Sequence, residues 1–381
     1  MAGLAVFASY SATAAPFVPT DDNFILQTGL PSADPRMREM RALAAGLAKQ
    51  PDDLSVAMRL AGRQLAMGVA ESDPRFVGYA QATLGRWWRD PAASPSLRVL
   101  RARVLQAQHN FAAAADDLHA ALRGDPDNLQ ALLVLASVDE VDGNLAEAEN
   151  SCAEYAKRRP GLIATACTAN IASLVGQAAA SERVLAGAVT QSPSPDRGEQ
   201  AWVLVILGEI ALRTGDPAAN DYLQQAVSLD DRNVYALTTY ADYLLDHDRA
   251  RDVIRLLRGF ERIDALDLRL VLAMQAVGDP GFAAARDDLA ARFVAARRQH
   301  DAVHLRDASR FSREVEQNAP AALEFARQNW ATHKAPEDVR LLLAAALACH
   351  DPSAAHPAVE WIASSHLEDR RLPPLLAQLG F

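Results

Sequence analysis

The chain has 381 residues, half of them hydrophobic, and a formal net charge of −10. A chain of this length would usually form two or three domains. That expectation does not apply to repeat folds, which grow by adding units. The acidic balance argues against a nucleic-acid binder, since phosphate neutralisation needs a clustered basic face and none is present in the sequence. Lysine occurs only three times, and the resulting arginine and alanine bias is typical of a GC-rich bacterial coding sequence.

The first fifteen residues, MAGLAVFASYSATAA, carry no charged side chain. Ala12 and Ala14 are spaced like a signal-peptidase site, which favours a periplasmic or secreted protein. Because the basic n-region is missing and the apolar run from Leu4 to Ala8 is short, a cytoplasmic protein with an apolar N-terminus stays the alternative. No run approaches the ~20 apolar residues of a membrane span, so we expect no integral membrane segment in the mature chain.

Small residues recur in the middle of seven candidate helices, mostly at steps of about 34 residues. They are Ala102, Ala136, Ala169, Gly208, Ala241, Ala273 and Ala308. A second helix follows each of the first four and carries apolar residues at i, i+4 and i+7, which places them on one helical stripe. Prolines such as Pro126, Pro160 and Pro336 close successive units, because proline cannot continue the helix it follows. The pattern predicts a stack of helical hairpins.

Two stretches resemble the tetratricopeptide repeat (TPR): LLVLASVDEVDGNLAEAENSCAEYAKRRP and WVLVILGEIALRTGDPAANDYLQQAVSLDD. The second keeps the family's Leu-Gly pair as Leu207 and Gly208. The resemblance is strong from about Leu97 to Phe260 and looser from Arg262 to His366. It implies an all-α fold, a right-handed α-α superhelix (solenoid) of about nine helical hairpins.

The sequence also predicts how the chain is divided. The longest internal break, residues 191–199, is the one candidate hinge. The expected segments are a signal-like leader and flexible segment (1–35), a divergent N-terminal hairpin region (36–95), a clear TPR array (96–260), degenerate TPR-like hairpins (261–366) and a C-terminal capping helix (367–381).

In this family the first helix of each hairpin lines a concave groove, so the residue after each small position is expected to point inward. This rule selects Arg103, Ser137, Asn170, Glu209, Asp242, Met274 and Ser309. The charge along the groove would then run from basic through neutral to acidic. Trp202 and Tyr235, at the starts of two first helices, either flank the same channel as rigid contacts or fill the interfaces between hairpins.

These features favour a non-catalytic interaction scaffold or adaptor that binds a partner peptide or helix with some basic character in the groove. The family's clamp for C-terminal carboxylates is not expected, because Asn170 lacks a basic neighbour and both Glu209 and Asp242 would repel an acidic tail. The alternative is an accessory or regulatory subunit of a cell-envelope enzyme or secretion complex that uses the convex face or the ends.

Three cysteines permit at most one disulfide. Cys152 lies on the second helix of one hairpin and Cys167 on the first helix of the next, so they form either a bridge or two small core residues. The sequence has no phosphate loop and no nucleophile elbow. His300 and His304 are one helical turn apart but lack the glutamate of a zinc protease motif, so we expect neither a metal, a cofactor nor a catalytic residue.

Overall fold

The computed structural model describes residues 34–191, 196–298 and 305–381. The signal-like leader, residues 192–195 of the candidate hinge and the pair His300 and His304 lie outside these residues. The described residues form α-helices and two short 3-10 segments, with no β-strand among them. The α-helices are α1 (Pro35–Lys49), α2 (Leu54–Ala70), α3 (Pro74–Thr83), α4 (Pro95–Ala107), α5 (Phe111–Gly124), α6 (Leu129–Asp142), α7 (Leu145–Arg158), α8 (Leu162–Leu174), α9 (Ala178–Gln191), α10 (Arg197–Thr214), α11 (Ala219–Leu229), α12 (Val234–Asp246), α13 (Ala250–Leu257), α14 (Asp264–Val277), α15 (Phe282–Arg298), α16 (Leu305–Glu314), α17 (Ala319–Trp330), α18 (Pro336–Ala348), α19 (His356–Ser365) and α20 (Pro373–Leu379).

Consecutive helices pair into nine hairpins in the described residues, from α2–α3 to α18–α19. Helix α1 packs against α2 at one end, and α20 packs against α18 at the other. The predicted all-α superhelix of about nine hairpins is confirmed. None of the described helices combines the length and the apolar character needed to cross a membrane.

Short polar side chains define where several of these helices begin. The side chains of Asn110, Asn128, Asn233 and Asn318 each accept a hydrogen bond from the backbone N–H three residues further on. This contact satisfies one of the N–H groups that the first turn of a helix leaves without a partner. The hairpin boundaries are therefore encoded locally, by residues that the sequence shows directly.

The small residues at the repeated positions are buried where helices approach each other. Ala102, Ala241 and Ala273 are 0% exposed. At Gly208 an added Cβ would lie 2.6 Å from Leu223 Cδ2, so α10 and α11 approach too closely for any larger side chain. The repeat is thus a packing requirement of the hairpins.

The looser C-terminal hairpins differ from the prediction in one detail. Ser309, predicted to face the groove, is 0% exposed, and its hydroxyl donates to the Ala322 carbonyl at 2.7 Å. The predicted repeat pattern is therefore one residue out of register in α16. Pro336 lies at the predicted boundary between two hairpins, as the first residue of α18. That position needs no N–H donor, so proline is tolerated there.

The C-terminal region of the chain packs against the third and fifth hairpins, α6–α7 and α10–α11. The backbone N–H of Lys334 donates to the Val141 carbonyl at 2.8 Å, and that of Arg370 donates to the Arg213 carbonyl at 2.9 Å. Leu145 is buried in the same hydrophobic cluster as residues of α17 and α18. The superhelix therefore closes on itself, a feature that the repeat pattern does not indicate.

Glycines in the turns of successive hairpins make this packing possible. Gly143, Gly176 and Gly215 have φ values of 88°, 81° and 75°, a conformation that glycine adopts far more readily than other residues. An added Cβ at Gly143 would lie 2.9 Å from Lys334 Cγ, and one at Gly215 would lie 2.7 Å from Arg370 Cδ. The absence of a side chain thus serves both the turn and the contact with the C-terminal region.

Cys152 of α7 and Cys167 of α8 form a disulfide, with their Cα atoms 5.5 Å apart. The bridge joins two consecutive hairpins and closes a loop with a sequence separation of 15 residues. Cys349 is a free, half-buried cysteine.

Candidate functional site

The superhelix forms a solvent-open cavity of about 1660 Å³. Its wall is built mainly by residues from α2, α4, α10, α12, α14, α16 and α18 and from neighbouring turns, with single residues from α1, α5, α6, α17 and α20. Pockets for small ligands usually measure about 300–1,000 Å³, so this volume has room for a segment of another chain.

Four of the six predicted groove residues line this cavity: Arg103, Glu209, Tyr235 and Asp242. Asn170 does not line the cavity, and its side-chain amide donates to Oε2 of Glu140, which lies outside the wall as well, at 2.9 Å. Trp202 is 39% exposed and also lies outside the cavity wall. Neither aromatic residue fills a hairpin interface, since Tyr235 is 56% exposed within the cavity.

An ion-pair bridge between distant segments of the chain holds one side of the wall. Glu71, at the end of α2, pairs with Arg36 of α1 and with Arg232 in the turn before α12, each at 3.0 Å. Glu71 and Arg232 are 161 residues apart in sequence. Because the arginines are exposed, each pair contributes only about 0–1 kcal/mol, and the bridge positions the wall more than it stabilises the fold.

Arginines that the sequence rule missed also point into the cavity. Helix α16 presents Arg306, Arg310 and Arg313, whose i, i+4, i+7 spacing places them on one face. Arg269 of α14 contacts Asp242 through two hydrogen bonds of 2.9 and 3.0 Å, and Arg310 pairs with the same carboxylate. Burial alone would raise the pKa of Asp242, but Arg269 and Arg310 outweigh it and hold that pKa below its usual range.

The predicted change from a basic to an acidic groove is therefore wrong for the later helices. Nine arginines and eight carboxylates line the cavity, intermixed rather than separated. The rule chose one inward residue per helix, whereas a helical face presents several residues over two turns. The rule therefore overlooked Arg269 and Arg306, which lie on or next to the helix face that carries the chosen residues.

Glu209 differs from Asp242 because no cation in the described residues forms an ion pair with it. The Tyr235 hydroxyl donates a hydrogen bond to Glu209 Oε1. Burial and the nearby Glu337 raise the pKa of Glu209 to about 7, and Glu140 adds to this effect. The Tyr235 hydrogen bond and Arg213 act in the opposite direction without cancelling it. At neutral pH this carboxyl is therefore divided between its protonated and ionised forms.

Arg103 of α4 is a half-buried cation in the same wall. Within the described residues its guanidinium makes neither a hydrogen bond nor an ion pair, and burial lowers its pKa. An uncompensated charge in partly buried surroundings is unfavourable for the free protein. The cavity thus contains two groups whose charges lack a partner, Arg103 and Glu209, on helices α4 and α10.

A histidine pair connects the early hairpins to the C-terminal region within the wall. His333 Nε2 lies 3.0 Å from His109 Nδ1, across 224 residues of sequence. Burial lowers the pKa of His333, although Asp338 opposes that shift. Because two imidazoles at this distance share one proton, at least one ring is neutral in the closed structure.

The described residues contain no group of three or more histidine, cysteine, aspartate or glutamate side chains suited to a metal ion. Asp307, close to the predicted histidine pair in sequence, forms an ion pair with Arg269. The side chains around the cavity are therefore arranged as paired charges and single polar groups.

Comparisons with protein-family models and with curated proteins give no match. Among solved structures, a Rap protein complexed with competence and sporulation factor matches at 15% identity and a TM-score of 0.48, over 78% of this chain and 95% of that one. The human IFIT1 dimer with PPP-AAAA matches at 14% and 0.41, over 89% and 94%. Yeast Tom70 matches at 12% and 0.41, over 90% and 84%. The ligands belong to those proteins, and the fold described above rests on contacts within this chain.

Proposed function

We propose that the protein is a non-catalytic interaction scaffold or adaptor, which binds a peptide or helix of a partner protein in this open cavity. The observation that supports this most directly is Tyr235, which is 56% exposed on the wall of a cavity of about 1660 Å³. Tyrosine supplies a large, rigid contact surface with little loss of conformational entropy, and such residues often dominate binding energy.

The closing contacts favour this role because they hold the cavity in one shape before a ligand arrives. The hydrogen bonds from Lys334 and Arg370 fix the C-terminal region against helices α6 and α10. A preformed site loses less entropy on binding than a flexible one. We expect micromolar affinity, about −8 kcal/mol, for a single bound segment.

An accessory or regulatory subunit of a cell-envelope enzyme or secretion complex is a second candidate. It is favoured by exposed hydrophobic side chains that lie outside the cavity wall, namely Tyr79, Val184 and Trp202. In that case the partner would contact the outer surface or an end of the superhelix, and the cavity would be a consequence of the fold.

We also propose that the protein is exported by a bacterium into the periplasm or the medium. The signal-like leader supports this, and so does the disulfide between Cys152 and Cys167, since such bonds persist in oxidising compartments. Cell fractionation with intact-mass analysis under non-reducing conditions tests it. A cytoplasmic protein with three free thiols would contradict the proposal.

Affinity capture from a native envelope extract tests the function. The wild type is compared with Tyr235→Ala in the cavity and with Trp202→Ala outside it, after melting curves have shown that both variants fold. A partner that is retained by Trp202→Ala but lost by Tyr235→Ala supports the cavity, with a loss in affinity of at least tenfold expected for an anchor residue. The reverse pattern supports contact through the outer surface.

A further inference from the structure

Two acidic residues of the cavity wall, Asp242 and Glu209, have opposite surroundings. Asp242 is neutralised by Arg269 and Arg310, so it needs no further cation. Glu209 forms no ion pair with any described residue, and its Oε2 makes no hydrogen bond within the described ranges. Both residues were selected by the same sequence rule, but only Glu209 offers a free carboxylate oxygen to a ligand.

Glu209 lies close to two other carboxyls. Glu337 and Glu140 raise its pKa, and Arg213 acts in the opposite direction. Arg213 is only 3% exposed, donates to the Ser173 hydroxyl at 2.5 Å and leaves its Nε without a partner. This buried guanidinium lies within electrostatic reach of the three glutamates without pairing with any of them.

The negative charge of Glu337 is balanced by nearby arginines, which distinguishes it from Glu209. Burial would raise its pKa, but Arg371, Arg306 and Arg213 together lower it. Glu140 accepts a hydrogen bond from the Asn170 amide and does not line the cavity. Glu209 is therefore the carboxyl of this group that both faces the cavity and lacks a compensating charge.

We propose that the cavity binds a basic side chain of the partner segment, a guanidinium or an ammonium group, at Glu209 with the ring of Tyr235 beside it. This inference rests on the proposed function and names the ligand chemistry of that site. The cation would pair with Glu209 Oε2, which is free in the described structure. Tyr235 already donates to the other oxygen, and its exposed ring adds the attraction of an aromatic face for a cation.

Binding of a cation at this position is linked to proton release. Burial and Glu337 raise the pKa of Glu209 to about 7, so in the free protein part of the Glu209 carboxyls carry a proton near neutral pH. A bound cation favours the ionised form, so ligand binding should release protons at that pH. Affinity should accordingly increase as the pH rises from about 6 to about 8.

The test uses three fluorescent peptides of about 12 residues, a length that an extended groove ligand can occupy. Leucine and serine alternate in each peptide, and the central positions are arginine, glutamine or glutamate. Affinities for the full chain are measured by anisotropy. Proton release is measured by calorimetry in buffers with different ionisation enthalpies. Glu209→Gln removes the charge at constant size, and Glu149→Gln makes the same change at an exposed position of α7 outside the cavity wall.

We expect the arginine peptide to bind best, to lose about tenfold in affinity with Glu209→Gln and to be unaffected by Glu149→Gln. Its proton release should disappear in Glu209→Gln. Tyr235→Phe should keep most of the affinity through the ring, whereas Tyr235→Leu should not. Equal binding of the arginine peptide by wild type and Glu209→Gln, or no binding of that peptide, would overturn the inference.

A different failure separates this inference from the proposed function. If the glutamate or glutamine peptide binds best and Tyr235→Leu abolishes that binding, the cavity is a peptide site but its ligand is not basic. The inference would then be wrong, while the proposed scaffold function would stand.

Discussion

Replacing Gly208 by alanine should change the free energy of unfolding in two opposite ways, through helix propensity and through packing. Alanine should stabilise the interior of α10 by up to about 1 kcal/mol through helix propensity. The new Cβ, however, would lie 2.6 Å from Leu223 Cδ2 and 2.7 Å from Leu223 Cγ. Leu223 is 0% exposed and has little freedom to move, so overpacking should cost about 1–3 kcal/mol. The net expectation is a loss of roughly 1 kcal/mol.

Gly62→Ala provides the matched control. Gly62 lies in the interior of α2, and an added Cβ there meets nothing within 4 Å among the described residues. Gly62→Ala should therefore be stabilised by the helix propensity of alanine without any steric overlap. The difference in free energy of unfolding between the two variants measures the cost of the overlap at Gly208, which we expect to be about 1–3 kcal/mol.

Urea unfolding followed by circular dichroism measures both free energies of unfolding. A Gly208→Ala variant as stable as Gly62→Ala would refute the packing argument for the repeated small position. A double mutant with Leu223→Ala gives a second check. Truncating Leu223 should cost less in the Gly208→Ala background than in the wild type, because the overlap is removed at the same time.

Three further predictions concern the stack, the bridge and the closing contact. Ala136→Arg, at a position 3% exposed, should destabilise the fold by more than about 3 kcal/mol in urea unfolding, since it overpacks the stack and buries a charge. Replacing Cys152 and Cys167 by serine should cost about 3 kcal/mol, whereas an equal urea midpoint for both proteins would show that the bridge adds nothing. Burial lowers the pKa of His333, which contacts His109, so the folded protein favours the neutral imidazole. The stability that this pair contributes should be complete above pH ~6.5, the pKa of histidine in the unfolded chain. It should be lost as the pH falls below ~6.5 towards the lower pKa of His333 in the folded protein. The difference in urea midpoint between wild type and His333→Gln at pH 7.5 and pH 5.5 measures that contribution, and an unchanged difference would contradict it.

The helices and their pairing could be predicted from sequence because their determinants are local. An asparagine such as Asn128 begins a helix through a contact three residues away, and a small residue such as Ala136 recurs at a regular interval. Each signal lies within one or two hairpins of the structure that it specifies. The prediction lost its register in α16, where the repeat resemblance is weak and Ser309 takes the buried position.

The closing of the superhelix could not be predicted from local signals, because its contacts join residues far apart in sequence. Gly143 has the sequence signature of a turn glycine, and no neighbouring residue indicates that Lys334 packs against it.

The candidate site was only partly predicted, because some of its contacts also join distant residues. Arg103 and Glu209 follow from the position rule, but the neutralisation of Asp242 depends on Arg310 of α16, two hairpins further along the chain.

Closure also changes how the chain should unfold. In an open array of repeats each unit contacts only its neighbours, so the ends fray and folding can begin anywhere. Here hairpins far apart in the array are joined through contacts such as His109 with His333, 224 residues apart. Such contacts raise the contact order and must wait for the chain between them to become ordered, which slows folding. Once they form, the C-terminal hairpins gain neighbours besides those next to them in sequence, and their amide protons should exchange as slowly as those in the middle of the array.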